Sequence, residues 1–141
     1  MKIRNDFVTN SSSSSYIVAF RNKEFDKETV KKYPILGAYK KIIQGIIDCT
    51  GEDTCEAEVY KTKDEFDKEF ISDFGWDNDT IEDILKDEDY LVNYYNKAID
   101  YLNKGYYIFD KSISCDDGAM SDLIKIIAKD NDDFVILREV E

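Results

Sequence analysis

The sequence predicts a single α+β domain, a sheet of about four strands with helices packed on it. Three observations predict it. Several stretches repeat apolar residues at helical spacing, while others are short β-branched or aromatic runs. Glycine, proline and capping residues fall between these stretches. The 141 residues, 43% hydrophobic and 13% aromatic, suit one domain with its own core, spanning residues 1–141.

The first strand is expected at Tyr16, Ile17, Val18, Ala19 and Phe20, whose near-continuous apolar character suits burial on both faces. Asp26 is the N-cap of a helix ending at Tyr33, before the only proline, Pro34. Ile35, Leu36, Tyr39, Ile42, Ile43, Ile46 and Ile47 then line one face of a second helix that ends near Cys49 and Gly51. Residues 55–62 alternate as a strand, with Cys55, Ala57 and Val59 on one side and Glu56, Glu58 and Tyr60 on the other. Thr62 and Glu65 have the spacing of a capping box for a helix carrying Phe66, Phe70, Ile71 and Phe74, closed by Gly75.

Asp79 and Glu82 read as the start of a short helix bearing Ile81, Ile84 and Leu85. A longer helix over residues 89–104 puts Leu91, Tyr94, Tyr95, Ala98, Tyr101 and Leu102 on one face, with Gly105 as its C-terminal cap. Tyr106 to Phe109 opens a strand, Leu123, Ile124, Ile127 and Ala128 mark a helix over 118–129, and residues 134–137 form the last strand. Two strands divided only by that helix are expected to run parallel.

Five consecutive serines, Ser11, Ser12, Ser13, Ser14 and Ser15, precede the first strand. Serine hydroxyls compete with the backbone for hydrogen bonds, so the run reads as a loop or a strand start. As a loop it is a candidate anion cradle, although it lacks the glycines of phosphate loops. Lys2, Ile3 and Arg4, followed by Asp6, Phe7, Val8, Thr9, Asn10, the five serines and Tyr16, resemble an N-terminal signature of small bacterial and phage proteins. The resemblance covers about the first twenty residues. It implies a bacterial or phage-borne intracellular protein and brings no function or catalytic residue with it.

Composition narrows the function classes. The formal charge is −12, from 31 acidic and 19 basic residues, which disfavours direct nucleic-acid binding. No histidine occurs, so the commonest general base and metal ligand are missing. Cys49, Cys55 and Cys115 have no zinc-site spacing. The odd cysteine count and the lack of an apolar leader point to a cytoplasmic protein with reduced thiols. No apolar run is long enough to span a membrane.

Asp77, Asn78 and Asp79 resemble the start of a calcium loop, but Ile81 occupies its fifth position and its glycine is missing. Asp130, Asn131, Asp132 and Asp133 read as a turn, and Asp116, Asp117 and Gly118 as a helix cap. No metal site, cofactor or catalytic set is expected, and the chain reads as a binding protein rather than an enzyme.

The charge is segregated. Residues 1–41 hold nine basic and four acidic side chains, whereas residues 64–100 hold thirteen acidic and three basic. The acidic stretch comprises Asp64, Glu65, Asp67, Glu69, Asp73, Asp77, Asp79, Glu82, Asp83, Asp87, Glu88 and Asp89. If its helices pack by their apolar faces, the carboxylates from Asp73 to Asp89 share an outer surface suited to a basic protein partner. The expected function is thus an acidic inhibitor of phage or mobile-element type that occupies a basic nucleic-acid-handling or defence protein. The alternative is a nucleotide- or phosphate-binding protein using Ser11–15. A third reading is a homodimer formed through the tyrosine-rich face of helix 89–104.

Overall fold

The apolar run at residues 16–20 lies inside strand β1 (Ser13–Phe20), which is buried on both faces as its composition predicts. Tyr16, Val18 and Phe20 enter one hydrophobic cluster, and Ile17 and Ala19 enter the other. The computed structural model describes residues 13–48, 57–76, 78–86, 88–114, 118–129 and 131–140. Ser11, Ser12, Asp77, Asp87, Asp116, Asp117, Asp130 and all three cysteines lie outside the described residues.

Three further strands complete the sheet: β2 (Glu58–Tyr60), β3 (Tyr107–Ser114) and β4 (Phe134–Val140), in the order β2-β3-β1-β4. Every neighbouring pair is antiparallel. β3 and β4 both oppose β1, so they run parallel to each other as expected, but β1 lies between them. Of the two expectations for the serine run, the described serines take the strand start. Ser13, Ser14 and Ser15 are not loop but already pair with Ser114, Ile113 and Ser112. Because β3 extends that far, the serine backbone has a ladder to join, and the ladder outcompetes local side-chain turns.

Helices cover both faces. On one side α1 (Lys27–Lys32), a 3-10 turn (Pro34–Ala38), α2 (Tyr39–Asp48) and α6 (Gly118–Ala128) supply or flank the cluster of Tyr39, Ile43, Ile46, Ile124 and Ile127. Asp26 caps α1 by accepting from the Thr29 N–H at 2.7 Å. Ile35 departs from the expected buried stripe and stands 58% exposed, because Pro34 starts a 3-10 turn whose tighter period rotates it outward.

On the other side lie α3 (Lys63–Phe74), α4 (Ile81–Leu85) and α5 (Asp89–Asn103). Phe66, Phe70 and Phe74, each one turn apart on α3, meet Tyr94 and Tyr95 of α5. Phe70 alone contacts four of these rings, at centroid distances of 5.0 to 6.1 Å. The α4 cap is Thr80, one residue later than expected: Thr80 and Asp83 form the reciprocal capping box, while Asp79 accepts from the Trp76 N–H. The turn that redirects Asp79 contains Asn78 at φ 71, a left-handed conformation that asparagine tolerates.

Helix α5 ends in a Schellman motif. The Tyr106 N–H donates to the Tyr101 carbonyl and the Gly105 N–H to the Leu102 carbonyl, each at 3.0 Å, with the Tyr101 and Tyr106 rings 4.8 Å apart. Gly105 has φ 90, and a Cβ there would meet nothing within 4 Å. Conformation alone therefore demands glycine. Gly105→Ala should destabilise the protein by about 1 kcal/mol, read as a Tm lower by a few degrees.

Buried tyrosine hydroxyls donate to nearby acceptors: Tyr39 to the Asp133 carbonyl at 2.6 Å, Tyr60 to Glu58 at 2.7 Å and Tyr95 to Asp67 at 2.6 Å. Burial first, and then the neighbouring carboxylate, pushes all three phenols above their ordinary 10.0. The folded chain therefore keeps these protons after the unfolded chain has lost them. The stability they contribute is intact below pH 10 and falls as the pH rises beyond it. Urea midpoints should drop above pH 10, with exposed tyrosines ionising first and the last part of the tyrosinate absorbance appearing only with unfolding.

Candidate functional site

Charge divides across the sheet. Residues 62–104, which build α3, α4 and α5, hold thirteen acidic and five basic residues. Residues 21–48, which build α1 and α2 on the opposite face, hold seven basic and four acidic. Within the acidic layer the carboxylates do different jobs. Asp83 caps α4, and the Thr80 backbone N–H and then its hydroxyl hold it below the ordinary 3.8. Asp79 fixes the turn at Trp76 with a 2.7 Å hydrogen bond, and Glu65 accepts from the Lys61 N–H at 2.9 Å. Asp67 holds Lys63 and Tyr95. Asp73 and Glu69 are partly buried and engaged.

Asp64, Glu82 and Asp89 are exposed in the first turns of their helices, and Glu88 is half-buried before α5. Their charge suits those positions, since it opposes the positive end of the helix dipole. Trp76, the only tryptophan, is 61% exposed on the α3–α4 connection, with its backbone N–H bonded to Asp79. Of the acidic residues expected to share a surface, the structure thus places Glu82, Asp83, Glu88 and Asp89 on α4 and at the start of α5, with Asp73 and Asp79 flanking Trp76 in sequence.

A second feature, invisible in the sequence, lies at the edge of the same face. β1 pairs Ile17 with Arg138 and Val18 with Ile136, so Leu137 is an extra residue, a β-bulge. Strict alternation would send Arg138 toward α6. The bulge instead puts Leu137 and Arg138 on the α5 side, while Glu139 meets Tyr16 and Lys125 on the other. The Arg138 guanidinium carbon lies 5.0 Å from the Phe74 ring centroid, 5.6 Å from Tyr90 and 5.7 Å from Tyr94. Its Nη1 is buried without a hydrogen-bond partner among the described residues. An unsatisfied buried donor costs about 1–3 kcal/mol, which the rings offset in part.

Beside Arg138 a groove of about 680 Å³ opens between α5 and β4, with Tyr90, Asn93, Asn96 and Lys97 along its α5 wall. Tyr90 is an aromatic lying off the apolar stripe of α5, and it stands 49% exposed.

The serines do not form a described cradle. Ser15 is buried in the ladder, and Ser14 is half-buried beside it. The hydroxyl chemistry nearby is a tie between elements: the Tyr16 hydroxyl meets Ser121 of α6 and Glu139 of β4, and Lys125 pairs with Glu139 at 3.3 Å. Tyr16 is fully buried, so the network fastens α6 to the sheet rather than facing a substrate. Among the described residues no group of three acidic, cysteine or histidine side chains converges on a metal position, and no helix is long and apolar enough to cross a membrane. Comparison with protein-family models, curated proteins and solved structures finds no match.

Proposed function

We propose that this protein is a binding module whose acidic α3–α5 layer docks a basic protein, in the manner of an inhibitor that occupies a nucleic-acid-handling surface. The observation that carries the reading is Trp76, an exposed aromatic on the α3–α4 connection, flanked in sequence by Asp73 and Asp79 on the acidic side of a charge-divided molecule. Protein interfaces take their affinity from a few aromatic anchors, while surrounding charge steers the encounter and selects the partner. The resemblance of the first twenty residues to bacterial and phage proteins supports a bacterial target.

Asp83 and Asp79 are poor test positions because they also cap and turn the chain. Asp64, Glu82 and Asp89 make no described hydrogen bond and are exposed. Reversing all three to lysine changes the net charge from −12 to −6. Tagged protein with and without these reversals is used to capture proteins from bacterial lysate at low salt. The expected result is a basic protein held by the unaltered chain, lost by the triple variant and released by duplex DNA. Equal retention by both chains would contradict the reading.

A further inference from the structure

We propose that the groove between α5 and β4 is a binding site for a carboxylate carried on an apolar or aromatic body, taken by Arg138 and Lys97. This site is separate from the acidic docking surface and does not depend on it. Arg138 pairs with no carboxylate among the described residues, although acidic residues far outnumber basic ones in the chain. The strand bulge places Arg138 in the wall of the groove, away from Glu139, with its guanidinium over the rings of Phe74, Tyr90 and Tyr94. Lys97, exposed on the α5 wall, likewise has no described ion-pair partner.

The walls select the ligand class. Tyr90, Tyr94 and Leu137 offer apolar surface, and Asn93 and Asn96 offer amides that orient an oxyanion. A planar guanidinium fork matches a carboxylate in two parallel hydrogen bonds. Asp100 also lines the groove; it is paired with Lys104 at 2.9 Å, yet it still disfavours a second negative charge. A polyphosphate would meet that carboxylate and the field of the whole acidic molecule, so a single carboxylate fits better. Tyr90, half exposed at the second position of α5, lies 5.6 Å from the guanidinium carbon, and a ligand that reaches Nη1 must displace part of the cover over that atom.

The test is an NMR titration of the full chain, read at the Asn93 and Asn96 side-chain amides. The probes are 3-phenylpropionate, its uncharged amide, inorganic phosphate and AMP. The expected result is saturable movement of both amides with 3-phenylpropionate alone, weakened about tenfold or more by Lys97→Gln and by Arg138→Lys. Lys97 is exposed, so its variant keeps the fold and decides the matter if Arg138→Lys does not fold. Several results would overturn the proposal: equal binding of the amide, binding unaffected by Lys97→Gln, saturation by phosphate or AMP in place of the carboxylate, or no response to any probe.

Discussion

Replacing Phe70 by alanine is expected to lower the unfolding free energy by about 3–5 kcal/mol, a large share of the roughly 5–15 kcal/mol that holds a domain together. Phe70 is buried where α3 crosses α5, and its ring touches Phe66, Phe74, Tyr94 and Tyr95. Removing it deletes the transfer free energy of a large side chain and leaves a cavity whose walls are stiff rings. Tyr95 cannot collapse freely into that space, because its hydroxyl is held by Asp67. Urea unfolding should show a much lower midpoint with an unchanged slope. Because α3 and α5 carry the acidic layer, the same variant should also lose partner binding at temperatures where it is partly unfolded.

The second large effect is expected at Trp76, and it falls on binding rather than on stability. The side chain is 61% exposed, while its backbone N–H is bonded to Asp79. Trp76→Ala keeps that backbone bond and removes little buried surface, so its stability should stay within about 0.5 kcal/mol of the unaltered chain. A tryptophan that anchors an interface costs about 2 kcal/mol or more when truncated, so affinity for the basic partner should fall about thirtyfold or more. Equal affinity in the two chains would remove Trp76 from the interface.

Much of the fold was legible because it rests on local chemistry. The apolar stripes of α2, α3, α5 and α6, the caps at Asp26 and Thr62, and Gly105 as a helix stop all follow from spacing and residue type. The misreadings have physical causes. Thr80 replaced Asp79 as the α4 cap because both are good caps, and only the turn at Asn78 decides between them. For the serines, which the sequence left open between loop and strand start, the choice was made by a partner strand about one hundred residues away that is long enough to pair with them.

The acidic surface was legible as a segment, yet which carboxylates are free was not. Asp83, Asp79 and Asp67 are engaged by hydrogen bonds that depend on the turn at Trp76 and on the crossing of α5 over α3. The groove at Arg138 was not legible at all. A strand written Phe-Val-Ile-Leu-Arg-Glu-Val alternates in only one way on paper, and a bulge that shifts half of it by one residue leaves no mark in composition.

The docking of the acidic layer is tested most directly by the emission of Trp76, the only tryptophan in the chain. The basic protein captured from lysate, labelled at no site and itself made without tryptophan, is titrated into this protein at low and at high salt. The expected result is a blue shift of emission as the exposed indole is covered, with affinity falling steeply as salt screens the carboxylates. Binding that leaves the emission unmoved, or that is indifferent to salt, would contradict it.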